Sequence, residues 1–174
     1  IGNLTKDAII RAAVSEGISV TQAVGSKSVF ETASVSYVSP TFDSNAGKVV
    51  IAYQDGGNSN YGTAVVATIS DTSISFGTPV VFEAASVDFV NATFDSTNNK
   101  VIIAYRDIGN SNAGTAIVGT VSGTSISFGT AAVFHSAGGG SGTYYLTATF
   151  DSNAGKVVFA YTYNAGATGY ATVG

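Results

Sequence analysis

The chain of 174 residues has a net charge of −4, no cysteine, 45% apolar residues and only 10% charged ones. That is enough apolar content for one packed domain, and it excludes a disordered composition. It also excludes thiolate chemistry, disulfides and cysteine-based zinc sites, and it leaves no basic footprint for nucleic acid.

Taken in order, residues 3–17 read as a short helix. Thr5 is the N-cap, Leu4 can staple against Ile9, and Ile9, Ile10, Ala13 and Val14 share one face. The stretch from Ile18 to Val24 reads as a strand. It resembles the closing strand of a unit, because Gly17-Ile18-Ser19-Val20 and then Val29-Phe30-Glu31 parallel Ser73-Ile74-Ser75-Phe76 and then Val81-Phe82-Glu83.

The rest is one phrase written three times. Thr41 to Tyr53, Thr93 to Tyr105 and Thr149 to Tyr161 each carry Thr-Phe-Asp-Ser, a polar turn, and a Lys-led aliphatic run ending in Ala-Tyr. Phe42 and Phe94 stand 52 residues apart, and Phe94 and Phe150 stand 56 apart, the difference being an insertion at Ala137 to Gly142. A period of this size marks stacked or radial units.

Each unit offers four strand signals, seen in the first as Ser34 to Phe42, Lys48 to Gln54, Thr63 to Ser70 and Ser73 to Phe76. The second and third are apolar on both faces and read as buried on both sides. The fourth alternates and reads as half-exposed. The recurring Asp43, Asp95 and Asp151 head the same turn, so turn formation explains them ahead of paired carboxylates for glycoside hydrolysis. Tyr53, Tyr105 and Tyr161 read as core residues with the hydroxyl at the rim. His135, the one histidine, replaces Glu31 and Glu83 of the other units and reads as a surface residue.

The expected fold is all-β: three four-stranded antiparallel repeat units of about 52 residues, β-propeller-like, with a short N-terminal helix and a ring-closing N-terminal strand. The divisions are 1–25, 26–77, 78–129 and 130–174. The third unit reads as lacking its fourth strand while a spare one precedes the first unit. Such an offset implies closure of a sheet by strands from both ends, or by strands of neighbouring copies.

The phrases Phe94-Asp95-Ser96, Lys100 to Asp107, Gly109-Asn110-Ser111-Asn112 and Gly123 to Thr130 resemble repeats of structural and tail-fibre-like proteins of marine bacteriophages, the cyanophage type included. The resemblance covers residues 26–174. It implies a role on a virion surface or appendage and brings no catalytic residues with it. A looser likeness to sialidase-type blades lacks the Asp-box wording, and Arg11 and Arg106 are too few for a carboxylate-binding arginine cluster.

The most polar stretches are the loops between second and third strands. Their glycines and Asx residues read first as shaping long hairpin loops. The second reading is glycan contact by Asp55, Asn58, Asn60, Tyr61, Asp107, Asn110 and Asn112, whose amides, carboxylates and ring suit sugar hydroxyls and faces. Calcium ranks third, for want of carboxylates.

The sequence therefore implies no enzyme, no cofactor and no metal. It implies a structural or receptor-binding appendage protein, virion-borne or extracellular, with a carbohydrate-binding propeller lectin or adhesin as the alternative. The expected partners are further copies, other virion proteins or cell-surface glycans, with neither nucleic acid nor membrane insertion.

Overall fold

A computed structural model of the chain describes residues 25–136, 142–164 and 168–174. The expected helix over 3–17 and the strand from Ile18 to Val24 lie outside the described residues, as does most of the Ala137 to Gly142 insertion. The described residues are all-β. The strands are β1 (Val35–Asp43), β2 (Lys48–Asp55), β3 (Tyr61–Ser70), β4 (Ser73–Phe76), β5 (Val80–Asp95) and β6 (Lys100–Asp107). They continue with β7 (Ala113–Ser122), β8 (Ser125–Phe128), β9 (Ala132–His135), β10 (Thr143–Asp151), β11 (Lys156–Tyr163) and β12 (Thr168–Val173).

The turns form where the sequence places them. Asp43 Oδ1 accepts the N–H of Asn45 at 3.0 Å and of Ala46 at 2.9 Å. Asp95 and Asp151 make the same paired bonds in their turns. The turn then closes on a left-handed residue, Gly47 at φ 63°, Asn99 at 55° or Gly155 at 63°. Glycine and asparagine are the residue types that reach this region cheaply. Antiparallel pairing follows in one register: Thr41 lies opposite Val50, Thr93 opposite Ile102 and Thr149 opposite Val158.

Two expectations are corrected. The strands do not divide into three separate four-stranded sheets. Nine of them form one curled antiparallel sheet, and β10, β11 and β12 form a second sheet of three. Nor do they close into a ring, since among the described residues β12 pairs only with β11.

The join lies in β5, which runs sixteen residues without a break. Its start pairs with β3, Val80 opposite Ala64 and Glu83 opposite Gly62, and its end pairs with β6. The outer edge of β3 is thus shared by two segments, β4 along its far half and the start of β5 along its near half. Between them the chain bulges at Gly77-Thr78-Pro79. A Cβ on Gly77 would stand 1.8 Å from the Thr124 carbonyl oxygen, so only glycine fits there. Pro79 has no N–H to give to a ladder. The edge of β7 is shared in the same way by β8 and β9.

The central strands are buried on both faces, as their sequences imply. Val50, Ala52, Ala64 and Val66 face one way, toward Val101, Ile103, Tyr105 and Ile117. Ile102 and Ala104, on the opposite face of β6, meet Val157, Phe159 and Tyr161 of β11. Each fully buried valine or isoleucine contributes about 1.5–3 kcal/mol, so these stacked faces outweigh any single polar contact in the molecule.

One ring marks each junction. Phe82, at the start of β5, packs on Tyr105 with centroids 5.2 Å apart, and Phe134 of β9 packs on Tyr161 at 5.6 Å. Phe30, which precedes β1, packs on Tyr53 at 5.2 Å. The three tyrosines are core residues, as expected. Their hydroxyls were expected at the rim, but that of Tyr105 is buried with the rest of the side chain and bonds Glu83 Oε2 at 3.0 Å. Burial, and then the neighbouring Glu83 carboxylate, push that phenol well above its ordinary range.

Candidate functional site

The loops after β2 and β6 are built as turns. Asp55 is buried, and its Oδ1 accepts the N–H of Gly57 at 2.9 Å. Asp107 Oδ1 accepts the N–H of Asn110 at 3.0 Å, and burial raises the pKa of that carboxyl above its ordinary value. Ser59 and Asn60 turn left-handed at φ 55° and 62°, as do Ser111 and Asn112 at 56° and 63°. The carbonyls of Asn60 and Asn112 then accept the N–H groups of Val87 and Thr143, tying the first loop to β5 and the second to β10. Asn58 and Asn110 are exposed, and Tyr61 lies half-buried in β3 opposite Asp55. Two of the seven candidates are therefore spent on holding turns, and the Asn58 and Asn110 amides remain open to solvent.

A second set of residues stands at the same end of the sheets. Each first strand slips register just before its partner's tyrosine, between Ser36 and Ser39, Asp88 and Asn91, and Tyr144 and Thr147. The slip is a β-bulge, and one residue in it is forced left-handed: Tyr37 at φ 51°, Phe89 at 48° and Tyr145 at 49°. A bulky aromatic in this region is rare, and the conformation costs about 1–3 kcal/mol at each position. Repetition of the same cost at three matching positions means that the surrounding ladder imposes it.

The result is a row of rings. Tyr37 and Phe89 have centroids 5.4 Å apart, and Phe89 and Tyr145 are 5.7 Å apart. Phe89, in the middle, is half-buried, while Tyr37 is 42% and Tyr145 64% exposed. The row therefore has an accessible phenol at each end.

Arg106 supports this row. Its Nε donates to Asp88 Oδ1 at 2.6 Å, and its second guanidinium nitrogen donates to Asp88 Oδ2. The same guanidinium carbon stands 4.9 Å from the centre of the Phe89 ring and 4.3 Å from that of Tyr144. Both charged side chains are nearly buried. Burial works against the guanidinium charge, but the Asp88 carboxylate outweighs it and raises the pKa of Arg106. The matching residue of β2 is Gln54, which donates to the Val87 carbonyl in β5. The sequence did carry a trace of the bulges. Tyr37-Val38, Phe89-Val90 and Tyr145-Leu146 each put two apolar residues side by side in an otherwise alternating strand.

His135 is not the surface residue its lone occurrence implied. It is half-buried, with its ring 4.9 Å from that of Tyr161 and 5.3 Å from that of Tyr163 and Nδ1 2.9 Å from Thr143 Oγ1. Burial lowers its pKa. The cause is the edge of β7, which carries β9 against the three-stranded sheet. Among the described residues, no cluster of three or more His, Cys, Asp or Glu stands close enough to hold a metal ion. Comparison with known proteins finds no matching family model, no matching curated protein and no matching solved structure.

Proposed function

We propose that this is a non-enzymatic, propeller-like protein of three repeat units that works by assembly, as a structural or appendage component of a phage particle. One observation carries the assembly reading. The same packing junction is built at each step along the chain, with a phenylalanine on the next tyrosine and a polar side chain holding the next first strand. The second part of that junction is seen in Ser39 Oγ, which accepts the N–H of Ala92 at 2.9 Å, and in Asn91 Oδ1, which accepts that of Ala148 at 2.8 Å. A joint that propagates within a chain is suited to propagate between chains. The virion setting is supported by the repeat wording alone. Native mass measurement from low to high micromolar concentration tests the assembly. The expected result is a homo-oligomer, and a monomer throughout overturns it.

A second reading, glycan binding, is favoured by the row of rings at Tyr37, Phe89 and Tyr145 beside the exposed Asn58 and Asn110. Aromatic faces take up the apolar faces of sugars, and amides take their hydroxyls. On a glycan array the expected outcome is binding that falls at least tenfold when Tyr37 and Tyr145 are both changed to alanine. Binding that survives this change, and also survives Asn58→Ala with Asn110→Ala, would place the ligand elsewhere. An array with no signal removes the reading.

A further inference from the structure

Among the described residues, two unpaired stretches are complementary. The near half of β3 carries Val80 to Glu83, and the near half of β7 carries Ala132 to His135. The matching stretch of β12 carries nothing. Conversely Ser28-Val29-Phe30-Glu31 has the wording of Val80 to Glu83 yet lies in no ladder.

Its seating is nevertheless that of an edge strand. A Cβ on Gly25 would stand 1.9 Å from the Thr72 carbonyl oxygen, as one on Gly77 would stand 1.8 Å from that of Thr124. Phe30 rests on Tyr53 and Phe76, as Phe82 rests on Tyr105 and Phe128. The segment is thus held in place on one side before any strand joins it on the other, which lowers the ordering cost of pairing. Beside β12 an apolar cleft of about 350 Å³ opens between Val118, Phe134, Val157, Phe159 and Gly174. The matching space at the preceding junction is filled by Ile126 and Phe128.

We infer that Ser28 to Glu31 of one copy adds antiparallel to the free edge of β12 in a second copy, as the strand that edge lacks. This rests on the assembly reading above. The register carries over from β9 on β7: Ser28 opposite Ala171, Val29 opposite Tyr170 and Glu31 opposite Gly169. The contact is head-to-tail, so it builds a ring or an open filament according to its rotation.

One position makes this joint weaker than those inside the chain. Pro40 stands where Ala92 and Ala148 give an N–H, so Thr147 finds no such donor across the joint. Gly169 stands where Gly62 and Gly114 leave room for the rings of Phe82 and Phe134, and so leaves the same room for Phe30.

The chain has no cysteine, so introduced thiols report cleanly. Val29 and Tyr170 are both exposed. Opposed Cα atoms in an antiparallel pair lie about 4.5–5.5 Å apart, within disulfide reach. The Val29→Cys and Tyr170→Cys chains are prepared separately, mixed and mildly oxidised. The mixture is expected to give several-fold more covalent dimer than either chain alone, and more than Val29→Cys mixed with the out-of-register Val173→Cys. If native mass shows assembly but the mixture gives no excess of dimer, this joint is wrong and the assembly reading stands. A monomer in native mass overturns both. A double variant, Val29→Cys with Tyr170→Cys, that closes only within single chains overturns the second copy as partner.

Discussion

Changing Arg106 to alanine is expected to cost about 3–5 kcal/mol of stability, the range for breaking a buried ion pair from one side. The side chains of Arg106 and Asp88 are only 12% and 8% exposed, so the substitution strands a carboxylate away from water. It also removes the cation from between Phe89 and Tyr144, and with it a tie between the nine-stranded and three-stranded sheets. The measurement is a shift in the urea midpoint at unchanged slope. Arg106→Ala with Asp88→Asn should recover part of the loss, because the stranded charge is gone. Arg106→Lys should restore charge but not the two-pronged geometry, and so should fall between. A loss of less than about 1 kcal/mol for Arg106→Ala would mean that the pair behaves like a surface ion pair. The row of rings would then be held by its bulges alone.

The second large effect is expected at Phe82. Its ring is 7% exposed and packs on both Tyr105 and Phe128 inside the main core cluster. Phe82→Ala should therefore cost about 3–5 kcal/mol, the transfer of the ring plus the cavity left behind. Collapse is unavailable, since Gly62 beneath the ring has no side chain to fill the space. Phe30→Ala is the control. Phe30 makes the matching contacts but is half-exposed and has no strand beside it, so its loss should be smaller, about 1–2 kcal/mol. Equal losses at the two positions, read by chemical denaturation, would contradict the account of Phe82 as a junction residue. If copies pair through Ser28 to Glu31, the gap between the two losses should narrow as protein concentration rises.

Several features were legible from residues alone because their causes are local. A turn headed by Asp43 and closed by Gly47 needs only five residues, and its hydrogen bonds fall where the wording puts them. The double burial of β2 is written in its unbroken Val-Val-Ile-Ala-Tyr, and the half-exposure of β4 in Ser-Ile-Ser-Phe. The site was read less well. The loop residues from Asp55 to Tyr61 and from Asp107 to Asn112 were visible as polar wording. That wording does not say whether an Asp side chain faces a ligand or its own backbone, and Asp55 and Asp107 turn out to face the backbone. Tyr37, Phe89 and Tyr145 passed unnoticed because each looks like one more apolar strand residue.

By itself the sequence determined that this chain is all-β, where its turns lie, and which strands are buried on both sides. Those properties follow from alternation, and from hydrogen bonds between residues a few positions apart. Tertiary structure alone decided that β5 runs through two halves of one sheet, that Gly77 must be glycine, and that three bulged rings line up over the Arg106–Asp88 pair. Each of these depends on groups brought together from different repeats, roughly 50 residues apart. Such contacts exist only after the chain has closed the long loops between them, and no window of local sequence contains both partners.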